Sequence, residues 1–174
     1  MNSPFVFNVA ELLQSNDALP EDRRQKGPSP SRIGPEMIAI AEGDPVTVEA
    51  TITPLGSGVM IDAEVTAILS GECVRCLRPL HPEEHFRITQ VFGADEDFVT
   101  GDDAEDADEE VPSVIDDTID IEQAVIDEAG LNLPFNPTCP DGCDDENMPA
   151  PDGISSEEDE GRTDPRWAGL EKFL

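Results

Sequence analysis

The sequence predicts an α+β fold: a mostly antiparallel, curved β-sheet or open barrel with one short packed helix, acidic flexible inserts and a short C-terminal helix. Two alternating apolar–polar runs around a Gly-rich turn predict the sheet, and one amphipathic stretch predicts the packed helix. Long acidic tracts within the 174 residues are too polar to contribute to a core. We therefore expect a small folded domain with flexible acidic segments.

The strands are predicted from side chains that alternate with a period of two. Residues 46–53 (VTVEATIT) and 59–69 (VMIDAEVTAIL) each place apolar side chains on one face, and the PLGSG turn joins them into a hairpin. Residues 5–9 (FVFNV) and 85–92 (HFRITQVF) are shorter runs of the same kind. We expect these segments to supply the core through one buried face.

Two helical segments are expected in the domain. Residues 10–14 (AELLQ) fit one helical turn, and residues 120–130 (DIEQAVIDEAG) fit a short helix. Asp120 and Gln123 have the spacing of a capping box, and Gly130 suits the C-terminal end. The helix is expected to pack through an apolar stripe of Ile121, Val125 and Ala129.

The chain is expected to divide into a folded domain, a linker and a terminal helix. These are residues 1–143, an acidic linker at 144–163 and an amphipathic helix at 164–174. Within the domain, loops at about 16–40 and an acidic insert at 93–114 are expected to be flexible. The stretch from residue 16 to 36 mixes Pro, Gly, Ser and charge, and it carries the basic cluster Arg23, Arg24, Lys26 and Arg32.

The charge of the chain is strongly acidic and unevenly distributed. Lys and Arg number 10 against 40 acidic residues, a formal net charge of -30, and residues 95–160 contain 25 acidic residues and no Lys or Arg. Because Lys and Arg supply most nucleic-acid affinity, a general RNA-binding surface is not expected, and a basic protein partner is favoured. Two alternatives stay open: the tracts only keep the chain soluble and extended, or the basic cluster binds RNA directly.

No signal peptide or membrane-spanning segment is expected. The amino-terminal stretch has no basic region before its short apolar run, and no run approaches the ~18 apolar residues of a transmembrane helix. We therefore expect a cytoplasmic protein, in which paired cysteines more often bind metals or serve redox chemistry than form disulfides.

The four cysteines form two closely spaced pairs. Cys73 and Cys76 are a C-x2-C pair at the end of a predicted strand, and Cys139 and Cys143 are a C-x3-C pair after the predicted helix. Two such pairs supply the four thiolates of a tetrahedral site, so we expect structural Zn²⁺. Because four protein ligands leave no open position for a substrate, and no catalytic triad or phosphate-binding loop stands out, we do not expect an enzyme.

Other roles for this region stay open. The thiols hold no metal, or Cys73 and Cys76 form a redox pair, although LRPLHP follows them where a thioredoxin-like motif would begin a helix. His81 or His85 replaces one cysteine as a ligand. The two arginines within CVRCLR either offset the charge of the thiolates or are ordinary surface residues.

The last segment, DPRWAGLEKFL, has the start signals of a helix, because Asp164 suits the N-cap and Pro165 the first turn. At helical spacing its apolar face consists of Trp167, Leu170, Phe173 and Leu174. Two roles are open: the helix packs back on the domain, or it docks on a partner. The candidate partner-binding residues are Arg166, Trp167, Leu170 and Phe173.

The segments FVFNVAELL, GECVRCLRPL, IDDTIDIEQAVIDEAGLNLPFNPTC and DPRWAGLEKFL occur in this order. Together they resemble the YceD family, whose members are called large ribosomal RNA subunit accumulation proteins, and the DPRWAGL ending resembles its actinobacterial branch. The resemblance implies a role in synthesis, processing or stability of large-subunit (23S) ribosomal RNA in the bacterial cytoplasm. Related chains often carry further cysteines where this chain has DDENMPAPDG. Either the four cysteines present are the complete site, or metal binding is being lost.

We therefore expect a non-enzymatic ribosome-biogenesis factor that acts through a protein partner. The acidic segments would hold a basic ribosomal protein or a basic assembly factor and so aid maturation of the large subunit. The alternative is a thiol-based redox or metal-responsive regulator that uses Cys73 and Cys76.

Overall fold

The structure is a computed structural model and describes residues 3–14, 19–94 and 111–143. In these ranges the chain forms short and long strands and two helices. In chain order the elements are β1 (Val6–Asn8), α1 (Ala10–Gln14), β2 (Glu21–Pro28), β3 (Ile38–Ala39), β4 (Pro45–Pro54), β5 (Gly58–Ile68), β6 (Ser70–Glu72), β7 (Pro79–Leu80), β8 (Glu83–Gly93), β9 (Thr118–Asp120) and α2 (Glu122–Asn132).

A four-stranded antiparallel sheet with strand order β2-β4-β5-β8 forms the centre of the fold. Strands β4 and β5 pair from Val46 opposite Ala67 to Pro54 opposite Val59, which confirms the predicted hairpin. Strand β8 pairs with the other edge of β5 along its whole length. Among the described residues the sheets are open rather than closed into a barrel, and the predicted α+β class is confirmed.

One face of this sheet is buried because apolar side chains recur at every second position. Phe5, Phe7 and Val9 of the first segment are also fully buried, as their alternation predicts. The buried residues of the sheet are Val46, Val48, Ala50, Ile52, Val59, Ile61, Ala63, Val65, Ala67, Phe86, Ile88 and Phe92. Burial of apolar surface contributes about 25 cal/mol per Å², so this face is the main source of stability.

Two smaller sheets complete the strand pairing. Strand β1 pairs with β9, and β6 lies between β3 and β7. At the end of β8, the Gly93 amide donates to the Pro112 carbonyl oxygen at 3.0 Å, and the Val114 amide donates to that of Gly93 at 2.8 Å. The described flanks of the predicted acidic insert are therefore held together at one edge of the fold.

Helix α2 packs on the core through the predicted stripe, since Ile121, Val125 and Ala129 are fully buried. Its start differs from the prediction because Asp120 belongs to β9, and the Asp120 carboxylate accepts from the Glu122 amide at 2.9 Å. The side chain of Gln123 donates along the helix instead of back to the cap, so the predicted capping box does not form.

The end of α2 also lies beyond the predicted one. Gly130 is in the last turn rather than after it, and the helix continues to Asn132. It ends there because Pro134 disfavours helical backbone at the preceding residue, Leu133, which is extended and buried.

Among the described helices, none has both the length and the apolar character needed to cross a membrane.

The structure corrects the prediction of a loop at about 16–40, because much of the stretch described there is a strand. Residues 21–28 form β2, which pairs with β4 throughout, and Ile33, Ile38 and Ile40 are buried in the core. Alternation does not reveal β2 because its side chains are polar or charged on both faces. Backbone hydrogen bonds to β4 stabilise it, and a charged edge strand with a terminal Pro is typical of protected sheet edges.

Three predicted segments fall outside the described residues. They are most of the acidic insert (95–110), the acidic linker at 144–163 and the C-terminal helix at 164–174. The division of the chain into domain, linker and terminal helix therefore stays a prediction.

The two faces of β5 are expected to respond differently to the same substitution. Ile61→Ala removes methyl groups from a fully buried position and should lower the free energy of unfolding by about 2–5 kcal/mol. Ile68→Ala, at a position that is 50% exposed on the opposite face, should change it by less than about 1 kcal/mol. Urea unfolding measures both, and equal losses would contradict the assignment of the buried face.

Candidate metal centre

The first cysteine pair lies in a tight reversal of the chain between β6 and β7. Strand β6 runs directly into Cys73, whose amide donates to the Arg78 carbonyl oxygen at 2.9 Å. The Leu77 amide in turn donates to the Cys73 carbonyl oxygen at 2.9 Å. These bonds close the turn that holds Cys73 and Cys76.

Each cysteine pair is accompanied by a left-handed residue. Leu77, directly after Cys76, has a φ of 57°, and Gly142, directly before Cys143, has a φ of 87°. This conformation reverses the chain within a few residues and suits glycine better than leucine. The Gly142 amide donates to the Cys139 carbonyl oxygen at 3.2 Å, which closes the second turn.

A backbone hydrogen bond joins the two segments that carry the cysteines. After α2, the buried Leu133 anchors the chain to the core, and the following residues run towards the reversal after β6. The Val74 amide donates to the Pro137 carbonyl oxygen at 2.9 Å. The second pair is therefore placed by the exit from α2.

The fold brings the four sulfur atoms together. All four Sγ atoms lie within 4.8 Å of one another, and the Cys73–Cys143 and Cys76–Cys139 Sγ distances are both 3.5 Å. Sulfurs around one tetrahedral cation with bonds of ~2.3 Å are about 3.8 Å apart. The cluster therefore has the size and donor set of a four-thiolate metal site.

Hydrogen bonds around the cluster give its thiols different pKa values. The Cys76 amide is the main group that lowers the pKa of Cys73 to about 6, with help from the Arg75 and Cys139 amides. The hydrogen bond with Cys76 raises the pKa of Cys139 to about 12, and the hydrogen bond with Cys73 raises the pKa of Cys143. Burial adds to these increases, so without a cation Cys139 and Cys143 stay protonated at neutral pH.

The glycine before the first pair is required by packing. Strand β6 lies so close to the preceding loop and β3 that a Cβ on Gly71 would be 2.5 Å from the Met37 carbonyl oxygen and 2.8 Å from the Ile38 Cβ. Both distances are well inside the ~3.5–4.0 Å of favourable contact. Gly71 therefore allows the strand to carry Cys73 against the core.

Neither histidine that the sequence left open as a ligand lies in the sulfur cluster. His81 donates through Nδ1 to the Leu69 carbonyl oxygen at 3.3 Å. His85 is on the exposed face of β8, with Nδ1 3.1 Å from the Thr66 hydroxyl and 3.7 Å from the Glu64 carboxylate. Among the described residues, only the cysteines meet at metal-ligand distances.

The basic residues of the 16–36 stretch do not form one cationic patch. Arg23 is half-buried and donates to the Asn8 carbonyl oxygen and, at 2.8 Å, to Glu21. Arg32 donates to three backbone carbonyl oxygens of the loop that follows it. Both guanidinium groups are therefore engaged within the domain.

The other two basic residues lie among acidic ones. Arg24 and Lys26 are on the exposed face of the central sheet, and Arg24 is 3.4 Å from Glu49. The strand register places Arg87 on the same face. The exposed acidic residues of this face are Asp22, Glu49, Asp62, Glu64 and Glu83. Acidic residues thus outnumber the cations, and this face does not suit phosphate binding.

The roles predicted for two further groups of residues stay predictions. The two arginines of the first pair, Arg75 and Arg78, are exposed, and their contribution to charge balance stays a prediction. The candidate partner-binding residues Arg166, Trp167, Leu170 and Phe173 lie outside the described residues.

An apolar groove beside the cysteine cluster was not predicted from the sequence. Its volume is about 470 Å³, and it lies between residues 79–82 on one side and residues 133–140 on the other. A signal for it is present in the sequence as a concentration of prolines near both cysteine pairs. These are Pro79, Pro82, Pro134, Pro137 and Pro140.

Comparison with known proteins finds a family and several relatives. The family model for large ribosomal RNA subunit accumulation protein YceD matches residues 61–174. An uncharacterized protein of Mycobacterium tuberculosis is 35% identical over 99% of this chain and 82% of its own length, and one of Mycobacterium leprae is 34% identical over 99% and 78%. No solved structure matches the chain significantly. The matched region contains all four cysteines and the C-terminal segment.

Metal binding by the cluster is expected to release protons. Cys139 and Cys143 would bind a cation as thiolates, and because their pKa values are raised, each would lose a proton on binding near neutral pH. The affinity for Co²⁺ should therefore increase by at least about 100-fold per pH unit near pH 7 and weaken as the pH falls. Spectrophotometric titration of metal-free protein over this range measures it.

His85→Ala is the matched control for this titration. It should leave the affinity and its pH dependence unchanged, whereas Cys139→Ser should weaken binding and make it less dependent on pH. An affinity that is constant over this pH range would contradict a site built from protonated thiols.

Proposed function

The chain belongs to the YceD family of large ribosomal RNA subunit accumulation proteins, and from this membership we propose that it is a non-enzymatic ribosome-biogenesis factor of the bacterial cytoplasm. The family gives it a role related to ribosomal RNA accumulation. The finer proposal is that it supports synthesis, processing or stability of 23S ribosomal RNA through protein partners. The family match over residues 61–174 is the observation that carries it.

The cysteine cluster supports a structural zinc site in this factor. The four residues that would hold the ion are Cys73, Cys76, Cys139 and Cys143. When bound, Zn²⁺ would link the reversal after β6 to the exit from α2, two places far apart in sequence. Thiolates in a tetrahedral arrangement favour zinc among common divalent ions, and four protein ligands leave no position for a substrate.

The charge distribution supports action through a basic protein. Arg23 and Arg32 are engaged within the domain, and the exposed face of the sheet carries more carboxylates than cations. By contrast, the 25 acidic residues between positions 95 and 160 would attract proteins rich in Lys and Arg. Basic ribosomal proteins and basic assembly factors are therefore the proposed partners.

A thiol-based redox or metal-responsive regulator is the second candidate. The lowered pKa of Cys73, about 6, favours it because the thiolate is the reactive form. Two observations favour the structural site instead. Cys73 is fully buried, which hinders attack by an oxidant, and its sulfur is 3.5 Å from that of Cys143 in the other pair.

The purified protein is expected to contain one Zn²⁺ per chain, with all four thiols protected from thiol reagents. Cys76→Ser should remove most of the zinc and lower the melting temperature, because three ligands hold the ion less tightly. His81→Ala should retain the zinc, since that side chain contacts the Leu69 carbonyl oxygen instead. Elemental analysis and thiol titration distinguish the structural zinc site from the regulator. A metal-free protein with a reversible Cys73–Cys76 disulfide would support the regulator.

In cells depleted of the protein, mature large-subunit RNA should fall or its precursors accumulate, and the full chain should restore them. Replacing the ten acidic residues of 95–110 by Asn and Gln should weaken this rescue and the recovery of basic ribosomal proteins or assembly factors in pull-downs at moderate salt. RNA blots and mass spectrometry measure the two effects.

A chain that carries the same residues 95–110 in shuffled order is the matched control, because it keeps the charge and loses the order. It should rescue and recover partners as the natural chain does. Unchanged RNA on depletion would contradict the family role, whereas equal recovery by the neutralised and natural chains would contradict a partner held by charge.

A further inference from the structure

The groove beside the cysteine cluster has the volume of a ligand-binding pocket. Its volume of about 470 Å³ falls within the ~300–1,000 Å³ typical of ligand pockets. Ile38, Leu69 and Leu133 form an apolar floor, and Leu80 with several prolines forms the walls. The groove therefore offers apolar surface of a size that takes an aromatic side chain and a neighbouring aliphatic one.

Apolar surface is concentrated around this end of the described domain. Of its eight exposed large hydrophobic side chains, five belong to the segments that carry or approach the cysteines. These five are Ile68, Val74, Leu77, Leu131 and Phe135. Several large apolar side chains are thus exposed on the segments next to the groove, as is common at interaction sites.

We propose that the groove binds the chain's own C-terminal segment, residues 164–174, with the Trp167 indole inserted between its walls. The described chain ends at Cys143, three residues after Pro140, which lines the groove. Twenty residues separate Cys143 from Asp164. At ~3.3 Å per residue they span up to about 66 Å, so the tether reaches the groove without strain.

The segment and the groove are chemically complementary. Trp167, Leu170 and Phe173 share one face at helical spacing, and the groove presents five proline rings. Aromatic rings pack on proline rings in many peptide complexes, here with the proline-rich partner supplying the groove. The segment contains as many acidic as basic residues, so apolar contact rather than charge would hold it in the groove.

The family match includes this segment, since it extends from residue 61 to residue 174. A tether also raises the local concentration of the segment at the groove to about the millimolar range, so a modest intrinsic affinity keeps it bound. An outside protein that needs Trp167 would then have to displace it from the groove.

Trp167 makes the proposal directly testable in the full chain, because the sequence contains one Trp and no Tyr. Its fluorescence in the folded protein should be shifted to the blue relative to the protein in urea, and acrylamide should quench it several-fold less. Both properties should be independent of protein concentration, since the segment binds within its own chain.

Two groove variants and one control locate the binding site. Leu80→Asp in the wall and Pro82→Asp at the exposed rim should each shift the emission to the red and increase quenching, while circular dichroism shows the fold retained. Leu19→Asp, at a position 80% exposed and outside the groove, should change neither. Loss of stability from Leu80→Asp and Trp167→Ala should be less than additive in the double variant.

Three outcomes would overturn the proposal. Emission and quenching of the folded natural chain that match the protein in urea would show Trp167 free for an outside partner. A blue shift that survives both Leu80→Asp and Pro82→Asp would place the segment elsewhere on the domain. A blue shift that disappears on dilution, together with dimers in sedimentation, would assign the groove to the segment of a second copy.

Discussion

The packing of α2 against the inner face of the central sheet is the interaction on which the remaining architecture depends. Its buried stripe ends at Leu133, which fixes where the chain leaves the helix and therefore where Pro137 meets Val74. Each residue turns an α-helix by about 100°, so a helix that buried the next residue instead would carry this exit away from β6. The sulfur cluster and the groove beside it both follow from this one contact.

The chain separates the surfaces that stabilise it from those that carry its charge. The inner face of the sheet is apolar, whereas on the outer face the Thr51 and Thr89 hydroxyls each donate to an aspartate carboxylate at 2.6 Å. Further acidic residues lie in the tracts outside the described part of the chain. Our proposal of a basic protein partner rests on this acidic charge.

Sequence patterns predicted those elements whose side chains sort between core and water. The β4–β5 hairpin, the buried face of β8 and the stripe of α2 all follow from periodicity, because burial selects apolar side chains at fixed intervals. Strand β2 has no such pattern. It is an edge strand, and its backbone hydrogen bonds to β4 do not depend on the type of side chain. The prediction that α2 ends at Gly130 is wrong because Pro134 and the burial of Leu133 set the end of the helix.

The sequence by itself determined the α+β class, the central hairpin, the family and the identity of the four thiols as a set. The cysteines of each pair are close in sequence, so their spacing can be recognised from the sequence alone. Only the tertiary structure decided that Sγ atoms from positions 63 and 70 residues apart meet at 3.5 Å, that both histidines lie elsewhere, and that a groove opens beside the cluster. These contacts depend on how α2 and the sheets pack together, which the spacing of residues along the sequence does not reveal.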